Sequence, residues 1–261
     1  MTLTPLHDPN RGKLRVVGLM SGSGTNLRRI IEHERQLVAQ CGSSPFQLVA
    51  IFSDNHQSNA TQIGADFSIP VVTSDLRSYC QAKGCPRHDL EVRAEFDALT
   101  VRLLAPFDAT VAAYAGYMSI ATAPLINAYC GINVHPADLS LERDGKRRFV
   151  GAHPVRDAIL AGERTLCSST HMIEEKVDGG RILMMSAPLQ IQLADDFDGE
   201  SREKVRMAEA SNQDRLKEAG DWVVFPLTLQ HIAEGRFAVA EDGTVHFDGK
   251  PTPQGLRLGS G

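Results

Sequence analysis

Apolar positions along the chain fall into two rhythms. In the first half, short unbroken apolar runs alternate with segments whose apolar residues recur every three or four positions. Leu14–Met20, Phe46–Phe52 and Asp108–Tyr114 are runs of the first kind. Runs of this length, rich in β-branched residues and bounded by turn residues, predict strands buried on both faces. Ile69–Val72, with Pro70 inside it, predicts a short strand, and Gly131–Val134 a further central one. Leu27, Ile30 and Ile31 sit at helical spacing, as do Val92, Phe96, Leu99, Leu103 and Leu104. Helices are expected there, around Asn59–Phe67 and over Ile120–Tyr129. Residues 74–86 are polar and hold Cys80, Gly84 and Pro86. Such alternation predicts an α/β fold: a Rossmann-like, doubly wound, mostly parallel sheet.

The second half has another rhythm. Val155–Ala161 suits a helix ended by Gly162. Thr165–Ile173 and Arg181–Ala187 alternate as antiparallel strands do. Ala194–Asp221 is charged, with an acidic excess, and predicts a solvated helix. Val223–Ala233 predicts a last amphipathic helix, and Phe237–Phe247, with Asp242-Gly243 between, a hairpin. No internal repeat is present. The expected organisation is a polar lead-in over 1–13 and one domain over 14–261. Its lobes are 14–135 and 136–261.

Composition and charge narrow the function. The 261 residues carry 27 Lys and Arg against 32 Asp and Glu, a net charge of −5. A general nucleic-acid binder needs a basic surface to displace counterions, so that class is disfavoured. A local basic pocket for a small anion stays open. The apolar runs fall far short of the roughly 20 residues that span a bilayer. Residues 1–13 hold no apolar core of a signal peptide. Five cysteines without an export signal predict reduced thiols in a cytoplasmic protein. Cys80 and Cys85 have no second matching pair, so no metal site is expected. A monomer or homodimer that needs neither membrane nor nucleic acid is the partner expectation.

Three motifs could carry chemistry. After the first strand comes Ser21-Gly22-Ser23-Gly24-Thr25-Asn26. Glycines there let amide N–H groups converge at a helix N-terminus, where phosphate binds. Ser23, Thr25 and Asn26 add polar side chains. A plain turn with a helix cap is the competing reading. Leu27 breaks the dinucleotide fingerprint, and no Gly-Lys-Ser/Thr follows, so Walker A fails too. The second motif is Asn133-Val134-His135-Pro136 at a strand's C-terminal end. Spacing of two puts Asn133 and His135 on one face, an amide donor beside a group titrating near neutrality. Nine histidines make a structural role the competing reading for any one of them. The third is Asp178-Gly179-Gly180, a carboxylate in a turn, or simply a turn.

In this order the motifs resemble the glycinamide ribonucleotide formyltransferase family. The carriers are Ser21 to Leu27, Ala115-Gly116-Tyr117-Met118, Asn133 to Pro136 and Asp178 to Gly180. Phe52-Ser53-Asp54 and Pro253-Gln254-Gly255 are weaker echoes. The resemblance implies formyl transfer from 10-formyltetrahydrofolate, as co-substrate, to a primary amine such as glycinamide ribonucleotide in purine biosynthesis. It implies a formyltransferase fold whose C-terminal lobe binds folate. It implies Asn133, His135 and Asp178 as the catalytic trio, with Asp178 keeping His135 protonated. Ser23, Gly24, Thr25 and Asn26 would hold the acceptor's phosphate, and Tyr117, Met118, Ser119 and Ile120 the folate. Hydrolysis of the same folate, or an amino-sugar acceptor, are the alternatives within the superfamily. A nucleotide-dependent oxidoreductase and a silent folate binder are the rivals outside it.

Departures from the pattern concern the acceptor. Ser119 stands where arginine is usual. Asp221-Trp222 stands where a Glu-His pair is expected. Gly151-Ala152-His153-Pro154 is closer to formyltransferases acting on methionyl-tRNA and amino sugars. The stretch from His135 to Gly151 is longer than the family's and holds Arg143, Lys146, Arg147 and Arg148. That cluster reads as a solvated loop, or as a flap pairing with an acidic group of a substrate.

Overall fold

The computed structural model describes residues 2–259. β1 (Leu3–Pro5) precedes β2 (Leu14–Met20), α1 (Thr25–Cys41), β3 (Phe46–Ser53), α2 (Ala60–Phe67) and β4 (Val71–Thr73). α3 (Leu76–Lys83), α4 (Leu90–Leu104), β5 (Val111–Tyr114), α5 (Ala123–Ala128) and β6 (Cys130–His135) follow. Next come the small hairpin β7 (Glu142–Arg143) and β8 (Lys146–Arg147), α6 (Pro154–Leu160) and β9 (Thr165–Leu166). β10 (Ser169–Met172), β11 (Ile182–Met185), β12 (Leu189–Gln190), α7 (Arg202–Leu216) and α8 (Trp222–Ala233) lead on. β13 (Phe237–Ala240), β14 (Val245–Phe247), β15 (Lys250–Pro251) and β16 (Leu256–Arg257) end the order.

Eight strands form the main sheet in the order β16-β11-β10-β6-β5-β2-β3-β4. β2 to β6 are mutually parallel, as the buried runs predict. β10 is antiparallel to both of its neighbours. The strand order reverses beside β2, with β3 and β4 on one side and β5 and β6 on the other. At such a reversal a crevice opens beyond the C-terminal strand ends, where ligands bind in α/β sheets.

Burial on both sheet faces explains the unbroken apolar runs. Leu14, Val16 and Met20 of β2 join Leu27, Ile30 and Ile31 of α1 and Phe225 and Leu229 of α8 in one core. Val17 and Leu19 join Val92, Phe96 and Leu125 in the other. Each such side chain contributes on the order of 2 kcal/mol. A Cβ at Gly18 would lie 2.3 Å from Leu27 Cδ1, so glycine lets α1 pack closely on β2.

Several elements depart from expectation for local reasons. α3 lies inside the polar stretch 74–86. Asp75 accepts the Ser78 N–H at 2.7 Å, and Gly84, with φ of +68°, ends the helix. α5 begins at Ala123 rather than Ile120, because Asp97 takes both the N–H and hydroxyl of Thr122, each at 2.7 Å. The charged run is not one helix. Asp198 accepts the N–H groups of Glu200 and Ser201, which holds that stretch in a turn before α7. A π-helical turn over Lys217–Asp221 then joins α7 to α8. The polar lead-in supplies β1, which pairs antiparallel with β13. Among the described residues, no helix is long and apolar enough to cross a membrane.

Candidate active site

β6 and β10 run antiparallel, with Asn133 opposite His171 and His135 opposite Ser169. Their alternation aims Asn133 and His135 to one face. The amide Nδ2 of Asn133 lies 3.1 Å from Nε2 of His171. His171 Nδ1 donates to the Met172 carbonyl at 2.9 Å, which fixes the ring. His135 donates from Nε2 to the Phe149 carbonyl at 2.8 Å. Its Nδ1 faces Asp178 Oδ1 at 3.5 Å, and His171 Nε2 lies 3.5 Å from the same oxygen. Asp178 Oδ2 accepts the Gly151 N–H at 2.8 Å. The structure thus brings Asn133, His135 and Asp178 together.

His171 is the member that sequence reading missed. The structure shows why it matters: Ser169, Thr170 and His171 of β10 are all buried, as is Ser168 before them. Such a strand must pair its polar groups internally. The turn carrying Asp178 has equally local causes. Asp178 adopts φ of +51°, which aspartate tolerates better than most residues. A Cβ at Gly180 would lie 1.8 Å from the Met172 carbonyl oxygen, so that position admits only glycine.

Electrostatics bear on the protonation expected of His135. Burial pushes the His135 imidazole below its usual range. The nearby Asp178 carboxylate and the Phe149 carbonyl only partly offset this. That direction favours the neutral ring, and the Phe149 carbonyl favours its proton on Nε2. Burial pushes Asp178 up, but His171, His135 and the Gly151 N–H outweigh it and leave the carboxyl below its usual range.

The glycine loop lies at the sheet's reversal. Gly24, with φ of +68°, precedes α1, so the helix's first N–H groups point out beside Ser23, Thr25 and Asn26. Asn55 donates to the Ser21 carbonyl at 2.9 Å and Asn59 N–H to the Gly22 carbonyl at 3.0 Å. These bonds occupy the loop's carbonyls from behind. Ser21 N–H donates to Gly116 at 3.0 Å and Ser21 Oγ accepts the Met118 N–H at 2.9 Å. The loop and the 115–118 segment are thereby fastened together.

Residues 117–120 divide by direction. Tyr117 is buried in a core, and the Ser119 hydroxyl donates to Asp54. Met118 and Ile120, at 76% and 53% exposure, present apolar side chains to solvent. Arg93 donates to the Ile120 carbonyl and Asp97 holds Thr122, so α4 fixes the end of this segment.

Asp221 is buried, with Ser168 Oγ donating to it at 2.5 Å and Asn26 alongside. Burial raises its pKa to about 6, partly opposed by Ser168 and Asn26. Asp221 therefore backs the glycine loop rather than facing the crevice. Behind His135, Arg257 donates to Asp138 and Ser140, each at 2.8 Å.

Residues 14–213 match the Formyl transferase family. The chain is 27% identical over 236 residues to the trifunctional purine biosynthetic protein adenosine-3 of Gallus gallus. That match covers 89% of this chain and only 20% of the relative, so the chain spans about a fifth of that protein. It is 24% identical to phosphoribosylglycinamide formyltransferase of Haemophilus influenzae, covering 92% and 96% of the two chains. The solved structure of the phosphoribosylglycinamide formyltransferase of Coxiella burnetii has a similar fold. Its TM-score is 0.68 at 22% identity, over 94% and 99% of the chains. With about three quarters of its sequence inside the family match, the chain belongs to the formyl transferase family.

Proposed function

We propose that this chain transfers a formyl group from 10-formyltetrahydrofolate to the primary amine of glycinamide ribonucleotide. The observation that carries this is the convergence of Asn133, His135 and Asp178 at the end of β6, beside the sheet's reversal. The name of one relative, phosphoribosylglycinamide formyltransferase, supports formyl transfer and the acceptor. Five unbridged cysteines fit a cytoplasmic enzyme.

The reaction needs three things from the protein. The amine nitrogen bonds to the formyl carbon, and the carbon's bond to the folate nitrogen breaks. Negative charge grows on the formyl oxygen meanwhile. His135 Nε2–H already donates to a carbonyl oxygen, that of Phe149, and in transfer it donates to the formyl oxygen instead. Asn133 Nδ2 is the second donor. Asp178, ionised beside His135 Nδ1, favours a proton there as one leaves the amine. That proton ends on the departing folate nitrogen. The amides of Gly24 to Asn26 receive the acceptor's phosphate, and Met118 and Ile120 lie along the folate.

One observation counts against the ribonucleotide and keeps a second acceptor class, a nucleotide-linked amino sugar, in the comparison. Asp221, at the position expected to meet the ribonucleotide, is turned to Ser168 and Asn26. The test is an assay with 10-formyltetrahydrofolate against glycinamide ribonucleotide, a nucleotide-linked amino sugar and water alone. Formylated ribonucleotide, formed well above the rate of formate release, supports the reading. Preference for the sugar selects the second class. Full-rate formate release without acceptor means a hydrolase, and inactivity with all three overturns formyl transfer.

A further inference from the structure

The basic cluster of the long loop does not act as one patch. Arg143 and Lys146 are exposed near the tip of the small hairpin. Arg148 pairs with Glu163 at 2.6 Å and lies over the Phe149 ring at 4.4 Å. Arg147 alone turns inward. Its Nη1 donates to two carbonyls at once, Asp178 at 2.5 Å and Gly180 at 2.8 Å.

Those carbonyls belong to the turn that presents Asp178. One hydrogen bond closes the turn from within, Gly179 N–H to the Lys176 carbonyl at 2.9 Å. Beside it lies an open groove of about 350 Å³, lined by Arg147, Gly179, Arg181, Asp242 and others. The turn faces this groove on one side and packs against the Met172 carbonyl through Gly180 on the other. A guanidinium offers rigid, planar donors suited to gripping two acceptors. Gly151, at the far end of the same loop, holds Asp178 Oδ2.

We propose that Arg147 is a positioning residue for formyl transfer. It fixes the Asp178 turn so that Oδ1 faces His135 and His171 together. The proposal rests on the reading of His135 and Asp178 as catalytic. Arg147 touches no reacting atom in this account and acts through Asp178.

The test is steady-state kinetics of Arg147→Ala, Arg147→Lys and Arg147→Gln, beside wild type, Asp178→Asn and Arg143→Ala. A misplacement of about 1 Å at a catalytic group can cost about 10²-fold in rate. Arg147→Ala should lower kcat by about that factor, with both KM values within about threefold of wild type. Arg147→Lys should recover part of the loss, since an ammonium can still reach one carbonyl. Arg147→Gln, which keeps bulk and one donor, serves if the alanine variant folds poorly. Arg143→Ala should match wild type. Wild-type kcat in Arg147→Ala, alongside a collapsed Asp178→Asn, overturns the proposal. So does a loss that tracks the unfolded fraction and is not relieved by lysine. A crystal structure of Arg147→Ala reads the position of Asp178 without turnover. A displaced Oδ1 supports the proposal and an unmoved turn overturns it. If wild type transfers no formyl, or Asp178→Asn is fully active, the catalytic reading fails instead, and the structure of the variant still decides whether Arg147 positions the turn.

Discussion

His135 and Phe149 are joined by a 2.8 Å hydrogen bond from imidazole Nε2 to the main-chain carbonyl. Under the proposed function, a formyl oxygen takes the place of that carbonyl. His135→Ala removes that donor. Loss of one oxyanion donor typically costs about 10²–10³ in rate, and product formation should fall at least that far. Far-ultraviolet circular dichroism should stay that of wild type. Wild-type turnover in the variant would show that His135 is not the donor.

The same histidine gives stability a pH dependence. Its folded pKa lies below the ordinary 6.5, because burial disfavours the charged ring. Its share of stability is full above 6.5 and is lost as pH falls through the folded value. Asp178, depressed below 3.8, adds a loss of the same sign at lower pH. These two groups should therefore pull urea midpoints down as pH falls, and His135→Gln should remove the part of that pull near 6, read as a difference from wild type. An unchanged slope in that variant would assign the decline to other groups.

Asp221 predicts the opposite slope. Its carboxyl is raised from 3.8 to about 6, so its stabilising share is full below 3.8 and lost as pH rises through 6. Asp221→Asn keeps an acceptor for Ser168 and carries no charge. It should stabilise the fold by roughly 2–3 kcal/mol above pH 6, with the gain developing between pH 4 and 6. A gain independent of pH would point to packing rather than ionisation.

Gly24 combines φ of +68° with close neighbours. A Cβ there would meet Ile63 Cδ1 at 2.5 Å and Met20 Cε at 2.8 Å. Gly24→Ala should cost about 1–3 kcal/mol through backbone strain and overpacking. Under the proposed function it should also raise KM for the acceptor more than for the folate. A larger effect on folate would place the phosphate elsewhere.

Much of this architecture was legible because burial leaves a plain trace. Strands covered on both faces need continuous apolar runs, and β2, β3 and β5 have them. Asn133 and His135 were readable as a pair because two residues along a strand share a face. What stayed hidden depends on partners distant in sequence. His171 gains its meaning from lying opposite Asn133, a register that no local pattern encodes. Tyr117 reads as folate-lining from its motif, yet its ring faces the core while Met118 turns outward. The downward push on the His135 pKa depends on how deeply the surrounding elements bury it. The Phe149 carbonyl was unreadable in principle, since a backbone group carries no residue signature.

Arg257 has a consequence for the order in which the protein is made. It ties Asp138 and Ser140, just past His135, to β16, which pairs with β11. A chain growing on the ribosome holds Asn133, His135, His171 and Asp178 well before residue 257 has been added. The nascent polypeptide can assemble the central strands early, but this fastening must wait until residue 257 leaves the exit tunnel. Stalled or clipped chains lacking it would carry all four residues with the loop after His135 missing that anchor.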